Sequence, residues 1–150
     1  MSADVEELLA DEDRKWLELT ELFGDVPSER FDEPSMTGEG WSPKDVMYHV
    51  AAWAEEAATV LGRIAAGTHT GNDPDTQALN EEWFEVGRGL DDDVVRIRFA
   101  KGRTAMRQAF TRLPEVDAAA WEWFEESGPR HYEEHLPDLL AFLERGTPRP

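Results

Sequence analysis

Three of the four histidines in this 150-residue chain stand where they could act on one ligand. His131 and His135 are four residues apart, so on a helix they project from one face, a turn apart. Two imidazoles at that spacing can reach one metal ion at about 2.0–2.2 Å. In a helical projection both lie at the edge of an apolar arc of Leu136, Leu139, Leu140, Phe142 and Leu143. His49 holds the same kind of position on another segment, beside Trp53 and Val60. Inside a bundle but near its rim is the placement that a water-accessible metal site needs. A second reading fits the same residues: half-buried histidines bonded to carboxylates, with Asp138 beside the pair and Asp45 and Glu56 flanking His49. The fourth, His69, falls in a polar, glycine-bearing loop and is expected to be solvated.

These residues need helices to position them. Helical spacing of apolar residues marks a first helix over 4–23, with Val5, Leu8, Leu9, Trp16, Leu19 and Phe23 on one stripe and Gly24 at its end. A turn-rich loop over 31–40 follows. The second helix opens on Ser42 as cap, Pro43 at the first helical position and Asp45 as the capping-box carboxylate. Its apolar face is Val46, Val50, Trp53, Ala57, Val60, Leu61 and Ile64, and Gly67 closes it. A shorter helix is expected near 75–86. A third long helix follows Asp91, carries Val95, Phe99, Gly102, Met106, Phe110 and Leu113, and stops at Pro114. Residues 115–126, with Trp121, Trp123 and Phe124, read either as a short helix or as irregular chain. The last long helix starts near Gly128-Pro129, with Ser127 as its cap, and runs to about Glu144, leaving 146–150 as a tail. No stretch rich in β-branched residues alternates apolar and polar for long enough to read as a strand. Four long helices in one domain spanning 1–150 imply an all-α four-helix bundle.

Composition narrows the function classes. The net charge of −18, from 33 acidic against 15 basic residues, repels nucleic acid and anionic lipid, so neither is an expected partner. Arg96, Arg98, Lys101, Arg103, Arg107 and Arg112 form a basic stretch, read as pairing with neighbouring acidic helices rather than as an anion site. There is no cysteine, which removes disulfides, thiolate ligands and a protein-borne thiol nucleophile. No apolar run approaches the roughly 20 residues of a membrane span, and the acidic start of the chain does not read as a signal peptide, so the expected location is the cytoplasm. A homodimer is the expected assembly, two-fold dimers being the commonest oligomers.

Two segments resemble a known superfamily. Trp41-Ser42-Pro43-Lys44-Asp45-Val46-Met47-Tyr48-His49-Val50-Ala51-Ala52-Trp53 is similar to the W-[ST]-x-x-[DE]-x-x-x-H-[LIV]-x-x-W block of DinB-like (DinB/YfiT-like) proteins. His131-Tyr132-Glu133-Glu134-His135-Leu136-Pro137 resembles the H-Y-x-E-H-L-P end of the ClbS/DfsB and maleylpyruvate-isomerase-like branches. The resemblance spans nearly the whole chain. It implies a four-helix bundle with a long crossover between helices 2 and 3, and a divalent metal held by His49, His131 and His135. The C-terminal domain that the isomerases carry has no counterpart, so that particular reaction is not expected.

Three neutral histidines would leave coordination positions open, as catalytic sites do, and an all-nitrogen set suits Zn, Ni, Co or Fe. The first expectation is a metal-dependent enzyme of thiol-transferase type, taking a mycothiol-like low-molecular-weight thiol as cosubstrate and a small electrophile as substrate. Glu56, two turns beyond His49, is the candidate for orienting substrate, against the alternative of a rim ion pair. Tyr48 and Tyr132 adjoin ligands in sequence, which on a helix points them elsewhere. The alternatives are a metal-dependent hydrolase in detoxification or self-resistance, and a non-catalytic bundle binding a ligand through some of its six tryptophans.

Overall fold

The second long helix is fixed at both ends by local chemistry. Ser42 Oγ accepts from the Asp45 amide at 3.1 Å, and the Asp45 carboxylate accepts from the Ser42 amide at 2.9 Å. Pro43 takes the first helical position, where its missing N–H costs nothing. At the far end Gly67 adopts a left-handed φ of 73°, which a side chain would resist. In the computed structural model, which describes residues 2–146, this helix is α2, Pro43–Ala66. Before it come α1 (Ala3–Gly24) and a 3-10 turn (Ser28–Arg30). After it come α3 (Thr76–Arg88), α4 (Asp92–Thr111), α5 (Ala118–Ser127) and α6 (Pro129–Arg145). Among the described residues there is no strand. No helix among them is long and apolar enough to cross a membrane. Of the expected tail, residues 147–150 lie outside the described residues.

The long helices α1, α2, α4 and α6 form the bundle, and α3 sits within the crossover joining α2 to α4. The largest interface is α2 against α4; α2 also meets α3, α5 and α6, while α1 packs on α6. The approach of α2 and α4 is close enough that a Cβ on Gly102 would stand 2.9 Å from the Ala51 carbonyl oxygen. The apolar stripes point inward as their spacing predicts: Leu19, Val46, Ala57, Val95, Met106, Leu139 and Phe142 are fully buried. Leu140 departs from that pattern. It is 41% exposed on the outer face of α6, because the inward arc of this helix is narrower than the hydrophobic run suggests.

Residues 115–126 resolve into the helix α5, capped by Asp117, whose carboxylate accepts from the Ala120 amide at 2.8 Å. Ser127 is not the cap of the last helix; it is the final residue of α5, and Gly128 alone separates α5 from α6. A Cβ on Gly128 would meet the Phe124 carbonyl oxygen at 2.7 Å, so only glycine permits so tight a junction.

The apolar interior falls into two clusters, one around Phe23, Phe31, Val50, Phe99 and Leu139, the other around Leu9, Leu61, Met106, Phe110 and Phe124. α1 places Glu12 in the bundle, fully buried. Arg103 binds it through two guanidinium nitrogens at 2.9 and 2.6 Å, Arg107 donates at 2.7 Å, and the Tyr132 hydroxyl donates at 2.9 Å. Arg98 likewise forks onto Glu55 at 3.1 and 2.7 Å. Three members of the basic stretch therefore pair with acidic residues of other helices, Arg103 and Arg107 with buried Glu12 and Arg98 with Glu55 nearer the surface. Removing Glu12 would strand two guanidinium groups and a phenol. Glu12→Ala should cost about 3–5 kcal/mol in urea unfolding, and Glu12→Gln less. Losses under about 1 kcal/mol would show that the network contributes little.

Candidate metal centre

His49 comes from the middle of α2, and His131 and His135 from the first turns of α6. The rotation of α6 is set by Tyr132, buried and bonded to Glu12 across the bundle, which leaves the neighbouring His131 facing α2. His131 Nε2 and His49 Nε2 are 3.0 Å apart. Ring centroids lie at 4.7 Å for His49–His131, 5.2 Å for His49–His135 and 4.7 Å for His131–His135. One ring nitrogen from each residue falls within 4.8 Å of the other two. Two donors bound tetrahedrally to one ion would be about 3.4 Å apart, so this spacing needs only small side-chain adjustments.

Asp45, Glu56 and Asp138, the carboxylates near the histidines in sequence, form no hydrogen bond with them. Asp45 is committed to the cap of α2. Among the described residues, the buried side-chain nitrogen and oxygen atoms without a hydrogen-bond partner are His49 Nδ1, His131 Nδ1 and His135 Nε2. In His49 and His131 the unpartnered nitrogen is thus the one not shared between the two rings, and each such buried atom costs roughly 1–3 kcal/mol. Their protonation state suits a cation. Burial, with the neighbouring His135 adding to it, pushes His49 down to about 3. Burial first, then His135 and His49, holds His131 well below its ordinary value. His135 is also lowered by burial, against the opposing pull of Glu134 and Asp138. All three rings are therefore neutral near pH 7 and present lone pairs, as metal binding demands.

Aromatic groups frame the centre. Trp41 meets the His49 ring edge-on at 5.2 Å and stacks on Phe84 of α3, also at 5.2 Å. Trp53 packs edge-on against Trp83 at 4.9 Å and donates its indole N–H to Asn80 Oδ1 at 2.8 Å. Two openings meet over the histidines. One, of about 330 Å³, is bordered by His49, His131, Trp53 and Trp123. The other, of about 820 Å³, is bordered by His49, His135, Trp41 and Phe84. Thr76, Asn80 and Glu134 border both.

Glu56, the residue expected to orient a substrate, borders neither opening. Seven residues beyond His49 it stands about 10 Å further along α2, past the reach of the site. The carboxylates bordering the smaller opening come from other elements: Asp73 from the loop before α3, Glu122 and Glu126 from α5, and Glu134 from α6 between the two histidines. Glu134 carried a sequence signal, lying one residue from His135. The α5 residues carried none, since their segment had no assigned structure. Tyr48 and Tyr132 turn away from the site as expected, Tyr48 to accept from Arg98 at 3.2 Å.

Depressed histidine values have a consequence for stability. Below about pH 6.5 the unfolded chain takes up protons that the folded one refuses, so the stability present above that pH is lost as pH falls towards His49's value of about 3. Freed of metal by a chelator, the protein should lose up to about 2 kcal/mol between pH 6.5 and pH 5 through His49. Urea unfolding across that range checks this, with His49→Gln expected to flatten the profile. An unchanged slope in that variant would contradict it.

The comparisons with known proteins agree with this architecture. No curated protein matches the chain. A crystal structure of an uncharacterised protein from Escherichia coli UTI89 superposes with a TM-score of 0.78 at 14% identity, covering 93% of this chain and 92% of that one, which shows a shared fold. Residues 13–142 match the family described as mycothiol maleylpyruvate isomerase N-terminal domain. With that match spanning most of its length, the chain belongs to the mycothiol maleylpyruvate isomerase N-terminal domain family, a group of DinB-like helical bundles.

Proposed function

We propose that this chain is a metal-dependent enzyme of thiol-transferase type, joining a low-molecular-weight, mycothiol-like thiol to a small electrophile. The observation that carries the reading is the convergence of three neutral imidazoles, one ring nitrogen of each lying within 4.8 Å of the other two. The thiol is supported by the family description, which names mycothiol; the absence of cysteine is compatible with a thiol that arrives with a cosubstrate and does not itself favour one.

A divalent ion held by His49, His131 and His135 would supply Lewis acidity, drawing the pKa of a thiol at the site towards neutrality. The chain's own residues supply the rest. The Trp53–Asn80 bond commits the Asn80 carbonyl oxygen and leaves its amide protons to donate to a substrate oxygen. Trp53 and Trp123 line the smaller opening and displace water from the reacting groups. Glu134, which borders both openings, is assigned to carry the thiol proton to solvent. As the carbon–sulfur bond forms, the bond from that carbon to its leaving group breaks, and the departing pair takes a proton from water.

Elemental analysis should find about one divalent ion per chain, and His131→Ala/His135→Ala should bind essentially none. Consumption of a small thiol in the presence of an electrophile should fall at least about 100-fold in that variant, beyond what second-shell changes usually cost. Wild-type turnover that proceeds equally well without thiol would remove the transferase reading.

A further inference from the structure

We infer that the opening over the histidines accepts a substrate bearing an organic cation, such as an amine or quaternary ammonium group, and turns away dicarboxylates. The inference deepens the function proposed above and rests on that reading for the identity of the site.

The smaller opening places neutral donors at its floor and carboxylates at its rim. His131, 7% exposed, borders it together with His49, which puts the opening directly against the histidine centre. Around it stand Asp73, Glu122, Glu126 and Glu134, and among the described residues no lysine or arginine borders either opening. Of these four, only Glu126 has an ion-pair partner among the described residues, Arg130 at 3.0 Å, itself 61% exposed. Arg98, Arg103 and Arg107, by contrast, pair with Glu55, Glu12 and Asp13 away from the opening.

The walls make the second half of the case. The Trp53 and Trp123 rings lie with centroids 6.5 Å apart and planes 35° from parallel. Trp53 cannot swing freely, because its N–H is tied to Asn80 and its ring to Trp83. Held indole faces beside unpaired carboxylates attract ammonium groups through both ring quadrupole and charge. An anion entering the same space would meet repulsion from the rim without a guanidinium or ammonium to offset it. The rim carboxylates are exposed, so their effect is screened by salt.

Binding can be read without metal, thiol or turnover. The probes are benzyltrimethylammonium, benzyl alcohol and benzenesulfonate, matched in size and poor metal ligands, titrated by tryptophan fluorescence and calorimetry. At about 20 mM salt, benzyltrimethylammonium should bind about tenfold more tightly than either other probe, with the gap narrowing at about 0.5 M. Asp73→Asn/Glu122→Gln should reduce that preference to about threefold or less, whereas Glu18→Gln/Glu21→Gln on α1, which borders neither opening, should leave it intact. Equal or tighter binding of the sulfonate would overturn the inference. So would an equal loss in both variants, which would trace the preference to net charge alone. Cation preference that survives while thiol transfer fails would sink the transferase and keep this site; the reverse result would do the opposite.

Discussion

Glu12 is the point on which the geometry of the bundle turns. A carboxylate with no exposure to water is tolerable only if its charge and lone pairs are met, and here α4 supplies two guanidinium groups and α6 a phenol. Those bonds tie α1, α4 and α6 together between the two apolar clusters. Apolar packing specifies that a helix face points inward but is forgiving of small rotations. A bidentate ion pair and a short phenol–carboxylate bond are not. Because Tyr132 must reach Glu12, the residue before it is turned towards α2, and the residue three beyond it lies close to the same direction. The structural ion pair and the histidine centre are thus two consequences of one helix orientation.

The centre itself is built by withholding partners. Each histidine is buried enough to resist protonation, and the nearest carboxylates are either committed elsewhere or held at the rim. Asp45 shows the economy of this: four residues before His49 and suited by spacing to bond with it, it is spent on the α2 cap. Neutral imidazoles crowded within contact distance are unfavourable unless something accepts their lone pairs. The bundle tolerates that local cost because its clusters of Phe23, Phe99, Phe110 and Phe124 lie on either side and carry the folding energy.

Most of this scaffold was legible in the sequence, and the failures have physical causes. The cap of α2 could be read because Ser, Pro and Asp each have one strongly preferred place there. The histidine pair could be read because four residues is a helical period. Glu12 was passed over, although the stripe Leu8, Leu9, Trp16, Leu19 leaves a gap where helical spacing demands an inward residue, and Glu12 fills it. The signal was an acidic residue in an apolar register, and its partners, 91, 95 and 120 positions away, could not be inferred from spacing. α5 was ambiguous because its alanines and aromatics fit either a helix or irregular chain, and its placement depends on the close junction at Gly128. The rim carboxylates Glu122 and Glu126 were lost with it. Glu56 stands as the sequence's candidate instead, because sequence shows which helical face a residue shares but not how far along the axis a cavity extends.

The division between a neutral floor and a charged rim bears on how such a site would work. A carboxylate among the ligands would offset part of a divalent ion's charge and weaken its pull on a thiol or a carbonyl. Three imidazoles leave that charge intact, which favours a nucleophile that must become anionic to react. The carboxylates then act from a distance, in contact with water, where attraction to an approaching cation is modest and reversible. Attraction and activation are assigned to different residues on different elements: loop, α5 and the outer side of α6 for the first, α2 and the inner side of α6 for the second. Rim residues can therefore vary from one chain to another, and with them the substrates admitted, without disturbing the helix orientation that Glu12 and Tyr132 impose on the histidines.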